Sequence, residues 1–153
     1  MTGTVRKALA LIVIGSLLGA CSAPAGSTGT TVTATLKEWE IKLSSADLKA
    51  GDITINFTNN GDKEHEFLVR KTDLAADKLP LVTSGVDQGR VDEGSSQLTE
   101  VGNPSEIAVI PPGTTGLSLR LTLKPGHYVV FCNLHVEDLL HYQKGMHTEF
   151  TVT

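Results

Sequence analysis

The chain has 153 residues, room for one ordinary domain, with 13 Lys and Arg residues against 17 Asp and Glu residues and a formal net charge of −4 at pH 7. Two of the basic residues and none of the acidic ones lie in the first 20 positions, so the rest of the chain is more acidic still. This balance argues against a nucleic-acid partner, which requires clustered positive charge, and is compatible with a basic protein partner.

Residues 1–20 are typical of an export signal. Arg6 and Lys7 precede an apolar segment over 8–18, which is shorter than the roughly 20 residues of a membrane-spanning helix. The Leu-Gly-Ala-Cys motif that ends at Cys21 resembles the lipobox of bacterial lipoproteins, in which cleavage precedes the cysteine and lipid is attached to it. We therefore predict a lipoprotein signal peptide and lipidation of Cys21, with a plain secretory signal as the alternative. The protein would then be anchored to a membrane outside the cytoplasm, on a periplasmic or outer face.

Residues 21–30 are small, polar and uncharged, which predicts a flexible linker between the lipid and a single domain over 31–153. The chain has only two cysteines, so lipid on Cys21 would leave Cys132 without a disulfide partner. An unpaired thiol in an oxidising compartment needs protection, either by a metal or by burial in a core. The cysteine alone does not choose between these two.

Period-two alternation of apolar and polar residues dominates the chain after residue 31, and Gly and Pro turns divide it into short segments. Many short strands with one apolar face predict an all-β fold, an antiparallel sandwich or barrel of about eight strands. The predicted strands cover residues 32–36, 39–43, 53–57, 65–69, 107–110, 117–123, 128–132 and 148–152.

The segment 71–106 interrupts this pattern because it is polar and long, with one possible short helix at 74–79. A connection of this length is a functional lid, a loosely ordered insertion or a solvated loop, and we favour the solvated loop.

Four side chains near predicted strand ends form a candidate metal site: His65, Cys132, His141 and Met146. One thiolate, two imidazoles and a weak axial thioether are the ligand set of a mononuclear blue-copper centre. In alternating strands, His65 shares a face with Phe67 and Cys132 shares one with Tyr128, so both would lie at the edge of the core. Core packing of the histidine and the methionine is the competing interpretation.

The second histidine has two candidates. His135 follows Cys132 after two residues, the spacing of the shortest copper loops, but no methionine lies four residues beyond it. Four residues separate His141 from Met146, the usual spacing, but this choice requires a longer loop between the cysteine and the histidine. We predict that His141 is the ligand, that residues around 136–139 are an insertion and that His135 is exposed. The remaining histidines, His127 and His147, are predicted to be surface residues.

The four candidate ligands and the motifs around them resemble the cupredoxin family, plastocyanin-like and sulfocyanin-like members in particular. The resemblance implies a Greek-key β-sandwich holding one type 1 copper, with His65 from one strand and the other three ligands from one loop. The long Cys-to-His loop, the long 71–106 connection and the Glu after His65 depart from the usual pattern. The matching motifs are Asn59-x-Gly61, His65-Glu-Phe, Pro112-Gly113, Leu123-Lys-Pro-Gly126-x-Tyr128, Phe131-Cys132-Asn133 and His141-Tyr-x-x-Gly-Met146.

The resemblance implies a carrier of single electrons between redox partners, which the predicted lipid on Cys21 would tether to a membrane. We do not expect an enzyme, because copper enzymes of this fold need a second copper centre built from additional histidines. We expect a monomer that meets a redox protein through brief contacts, and the net negative charge is compatible with a basic partner. An apolar patch of Leu134, Leu139, Leu140 and Tyr142 around the second histidine would suit such docking, and Glu137 and Asp138 could orient the partner. Copper capture, storage or delivery is the alternative function, and a metal-free interaction module a further one.

Overall fold

A computed structural model describes residues 29–153. The predicted signal peptide, Cys21 and all of the predicted linker except residues 29 and 30 lie outside this range, so those predictions stay predictions. No helix within the described residues is long and apolar enough to cross a membrane. The first strand begins at Thr30, one residue before the predicted start of the domain.

The first sheet has four strands in the order β2-β1-β4-β8. Valine, alanine and leucine alternate with threonine in β1, and the apolar residues of this strand are the buried ones, as period-two patterning requires. β1 runs parallel to β4, whereas the other two pairs are antiparallel, so this sheet is mixed where the sequence predicted antiparallel pairing. The strands are β1 (Thr30–Lys37), β2 (Glu40–Leu43), β4 (Gly51–Asn59) and β8 (Thr115–Leu123).

The second sheet is built around β5, which pairs with β9 on one edge and with β6 and β7 on the other. β12 continues the sheet beyond β9, and the short β3 is paired parallel to β12 at the far edge. The strands are β3 (Asp47–Leu48), β5 (His65–Lys71), β6 (Thr99–Glu100), β7 (Glu106–Ile110), β9 (Gly126–Phe131) and β12 (His147–Val152).

All eight predicted strands are present, and they are the strands of four or more residues within 29–153. Four further strands have only two residues each, including β10 (His135–Val136) and β11 (Leu139–Leu140), which form a separate hairpin. The predicted all-β sandwich is confirmed. The predicted count of about eight strands omitted the four two-residue strands, because two residues are too few to show alternation.

The core lies between the two sheets, where the inward faces of β4, β5 and β9 meet. Phe57 of the first sheet packs edge-to-face against Phe67 of the second, with ring centroids 4.7 Å apart. Cys132 and Met146 belong to this same buried cluster. Each fully buried side chain of phenylalanine size contributes roughly 1.5–3 kcal/mol, so the site is attached to the well-packed core that stabilises the domain.

The long 71–106 connection covers the outer face of the second sheet and is more ordered than a solvated loop. Its buried residues Ala76, Leu79, Val91 and Leu98 pack against β5 and β9 and form a second apolar cluster with Tyr142. The predicted helix at 74–79 is a single 3-10 turn, Ala76–Lys78. The expectation of a solvated loop was wrong because its apolar residues are too widely spaced to show a periodic pattern.

Tyr142 joins this connection to the loop after Cys132. Its hydroxyl donates to the backbone oxygen of Ala76 (2.8 Å) and accepts from the N–H of Leu79 (3.0 Å). Tyr142→Phe would leave both backbone groups buried without a partner, so we expect it to lower the free energy of unfolding by about 1–3 kcal/mol. Denaturant unfolding should show this loss, whereas the exposed neighbour variant Lys144→Ala should change stability by no more than about 0.5 kcal/mol. An unchanged midpoint in Tyr142→Phe would contradict the docked arrangement.

Candidate metal centre

His65 is the first residue of β5, and the turn before it is braced by the buried side chain of Asn59. The Asn59 side-chain oxygen accepts from the N–H of Gly61 (2.9 Å). Its amide nitrogen donates to the backbone oxygens of Lys63 (2.8 Å) and Ile110 (2.9 Å). These bonds close the turn and connect it to the end of β7. They therefore fix the backbone position from which the His65 side chain extends into the core.

Cys132 directly follows β9 and is fully buried. Its Sγ accepts a hydrogen bond from the backbone N–H of Glu66 at 3.2 Å, which links the two strand ends that carry His65 and Cys132. The Glu66 carboxylate in turn accepts from the N–H of Asn133 at 3.1 Å. The thiol is therefore held from the neighbouring strand as well as from its own.

Asn133 supports the site through its side-chain hydrogen bonds. It belongs to the sequence motif around Cys132, but the sequence suggested no role for it. Its side chain accepts from the N–H of Val91 (2.8 Å) and donates to the Val91 backbone oxygen (3.0 Å) and to Glu93 (2.8 Å). Arg90 donates to its backbone oxygen at 2.9 Å. The 71–106 connection thus holds Asn133 in place beside Cys132. No local pattern in the sequence predicts this contact.

His141 and Met146 lie on a tight turn that closes back onto Cys132. The N–H of Met146 donates to the backbone oxygen of His141 (3.1 Å), and the N–H of Cys132 donates to the backbone oxygen of Met146 (3.0 Å). Gly145 has a φ of 105°, a left-handed conformation that favours glycine and allows the turn to reverse. Both His141 and Met146 are buried.

The structure brings His65, Cys132 and His141 together. The possible ligand atoms of the three residues all lie within 4.8 Å of one another, and Sγ of Cys132 is 3.3 Å from Nδ1 of His141. Within residues 29–153, both ring nitrogens of His65 and Nε2 of His141 are buried without a hydrogen-bond partner. Buried polar atoms normally have partners, so unpartnered nitrogens beside a thiol fit a metal-binding site. Two imidazoles and one thiolate are the trigonal donor set that copper takes in type 1 sites.

Burial keeps all three groups uncharged in the metal-free protein. It lowers the pKa of His65 to about 4, with the neighbouring His141 adding to the effect, and it lowers the pKa of His141 as well. Burial also raises the pKa of the Cys132 thiol to about 12, against the opposing hydrogen bond from Glu66. At neutral pH the imidazoles therefore have free lone pairs, and a metal has only the thiol proton to displace.

The connection between β1 and β2 contacts both imidazoles. The Trp39 ring meets the His141 ring edge-on at a centroid distance of 4.9 Å, and a Glu38 oxygen lies 3.7 Å from Nε2 of His65. Burial would raise the pKa of Glu38, but hydrogen bonds from its own backbone N–H and those of Lys63 and Asp62 bring it below its ordinary value. Glu38 is thus a carboxylate at neutral pH. Neither residue was recognised in the sequence: Trp39 was only the start of a predicted strand, and Glu38 fell between two predicted strands.

The predicted insertion after Cys132 is the β10–β11 hairpin, whose turn residues Glu137 and Asp138 have positive φ angles of 51° and 64°. It lies beside His141, which is only 1% exposed, and a cavity of about 170 Å³ separates part of the hairpin from the turn before His65. The predicted docking patch requires an accessible second histidine, whereas His141 is buried. Leu139 and Leu140 are half-buried in the hairpin, whereas Tyr142 points to the 71–106 connection and does not belong to such a patch.

The other three histidines lie outside the cluster. His135 is exposed at the start of β10, as predicted. His127 and His147 are half-buried rather than fully exposed: His127 contacts the Thr72 backbone oxygen at 2.8 Å, and the His147 ring lies 5.1 Å from that of Tyr142.

No protein-family model and no curated protein sequence matches this chain. Solved structures do match its fold. A dithionite-reduced auracyanin from the photosynthetic bacterium Roseiflexus castenholzii aligns with a TM-score of 0.52 and 20% identity, over 82% of this chain and 98% of that one. Auracyanin B aligns with a TM-score of 0.50 and 19% identity, over 81% of this chain and 88% of that one. The shared architecture establishes that this chain has the cupredoxin fold, and its own His-Cys-His cluster fits a type 1 copper site.

Proposed function

We propose that the protein is a one-electron carrier with a single type 1 copper, held by His65, Cys132, His141 and Met146. The observation that carries the proposal is the buried His-Cys-His group, in which both ring nitrogens of His65 and Nε2 of His141 have no hydrogen-bond partner among the described residues. Copper would supply the one-electron Cu(I)/Cu(II) couple. The chain would supply a rigid, water-excluding donor set with one anionic sulfur, which both oxidation states can accept.

The protein also carries features that suit brief contact with a redox partner. Exposed Glu64, Glu137 and Asp138 lie near the His141 side of the domain, and Lys63 lies 3.8 Å from Glu137. This local excess of acid supports a basic partner, attracted over long range and released quickly. We further propose that a lipid on Cys21 tethers a monomeric domain outside the cytoplasm, where the predicted export signal would place it.

The decisive experiment is visible absorption and electron paramagnetic resonance of the protein loaded with one equivalent of Cu(II). An intense blue thiolate-to-copper band with narrow hyperfine splitting is expected. Tight Cu(I) binding without that band would favour copper capture or delivery instead. Absence of binding in both oxidation states would leave a metal-free interaction module.

Met146→Leu tests the fourth ligand. Leucine preserves the volume of the buried side chain but removes the thioether sulfur, so copper and the blue band should be retained while the reduction potential rises. Protein-film voltammetry measures the change, and the persisting band is the internal control for an intact site. A potential equal to that of the unsubstituted protein would assign Met146 to packing alone.

A further inference from the structure

Glu38 connects the first sheet to the turn that precedes His65. Its Oε1 accepts from the backbone N–H groups of Asp62 (2.9 Å) and Lys63 (2.7 Å). The same oxygen lies 3.7 Å from Nε2 of His65. One carboxylate oxygen thus faces two backbone donors and a buried imidazole nitrogen.

The space for this carboxylate depends on Gly61. A Cβ at that position would lie 2.6 Å from Oε1 of Glu38, closer than side-chain atoms approach one another. The glycine therefore leaves room for the carboxylate against the turn. The side chain of Glu38 is only 25% exposed, so its negative charge is partly shielded from water.

His65 needs a partner of this kind. Its two ring nitrogens are buried without a hydrogen bond among the described residues, and the Glu38 oxygen is 3.7 Å from one of them. That distance is longer than a hydrogen bond, and a small shift of either side chain would close it. A neutral imidazole carries one proton, and a carboxylate beside Nε2 favours that proton on Nε2, leaving the lone pair on Nδ1.

We propose that Glu38 is the positioning residue of the metal centre: its carboxylate accepts the Nε2–H of His65 and directs Nδ1 toward the copper. The inference rests on the proposed copper site. Metal-bound histidines generally donate their second N–H to a carboxylate or carbonyl, which fixes the ring and increases its basicity. Here one side chain orients the ligand, braces the turn before it and adds a negative charge that favours Cu(II).

The test compares Glu38→Gln and Glu38→Ala with Glu40→Gln, a matched control. Glu40 lies two residues away, is 54% exposed and pairs with Lys37 at the surface. In the metal-free protein, long-range ¹H–¹⁵N NMR of the His65 ring reports the tautomer. We expect the Nε2–H form in the unsubstituted protein, in Glu38→Gln and in Glu40→Gln, and a shift toward the Nδ1–H form in Glu38→Ala.

In the copper-loaded protein, Glu38→Ala should weaken copper binding by roughly 10–100-fold, as loss of such partners generally does. Glu38→Gln retains an acceptor oxygen but no charge, so it should bind copper with a clearly smaller loss and yet raise the reduction potential. A purely structural role would lower the stability of Glu38→Ala without moving the potential of Glu38→Gln.

The two proposals can fail separately. If the unsubstituted protein shows no blue band, the copper assignment fails, whereas the tautomer measurement still decides whether Glu38 orients His65. If the band is present but Glu38→Ala keeps the Nε2–H tautomer, the copper affinity and the potential of the unsubstituted protein, the role of Glu38 is overturned and the copper site stands.

Discussion

Replacing His141 with alanine is expected to abolish the blue copper band, whereas replacing His135 with alanine is expected to leave it intact. Nδ1 of His141 lies 3.3 Å from Sγ of Cys132 in the buried cluster, whereas His135 is exposed on the hairpin. Loss of one of three strong ligands would open the site to water and convert any bound copper to a weakly absorbing form. Absorption spectra of the two variants, each titrated with Cu(II), provide the measurement.

The paired design separates ligation from folding. Both variants remove an imidazole from the same loop, and unfolding of the two metal-free proteins shows whether either has lost its structure. If the blue band survived in His141→Ala and disappeared in His135→Ala, the two-residue Cys-to-His spacing would be the functional one. The hairpin would then have to rearrange on binding copper.

The metal-free domain is expected to lose stability as the pH falls from about 6.5 to about 4. Burial holds the pKa of His65 at about 4 in the folded protein, against an ordinary value of 6.5. Between these values the unfolded chain binds a proton that the folded chain does not, so protons favour unfolding. The stabilisation is complete above pH 6.5 and is lost through the window, amounting to at most about 3 kcal/mol for this residue.

Urea unfolding at pH 7 and pH 4.5 measures the effect, and His65→Leu identifies its source. Leucine cannot titrate, so the difference in stability between the two pH values should shrink in that variant. His141 and His147 also have lowered pKa values through burial, so part of the dependence should remain. A pH dependence as large in His65→Leu as in the unsubstituted domain would show that His65 is not buried in its neutral form.

The eight longer strands could be predicted because the alternation of apolar and polar residues is visible within each segment alone. Alternation in a segment such as Leu117 to Leu123 requires only that one face be buried, whatever covers it. The parallel pairing of β1 with β4 could not be predicted in this way. Pairing is decided by which strands meet in space, and the alternation of a strand is the same for either direction.

The residues of the candidate site divide in the same way. His65, Cys132, His141 and Met146 could be selected from the sequence because copper chemistry restricts the residue types and because two of them end strand patterns. Glu38, Trp39 and Asn133 could not be selected, since their chemistry is ordinary and their importance comes from distant partners. The apolar residues of the 71–106 connection were missed for a similar reason: they pack on an outer sheet face that no local pattern reveals.

The strand content, the candidate donor set and the resemblance to cupredoxins could therefore be inferred from residue type and short spacing alone. Folding was needed to show which groups surround those donors: the Glu38 carboxylate near His65, the Trp39 ring against His141 and the long connection bound to Asn133. The physical reason is that these contacts join residues far apart in the chain. Their energies depend on distance and burial, which exist only once the two sheets have packed together.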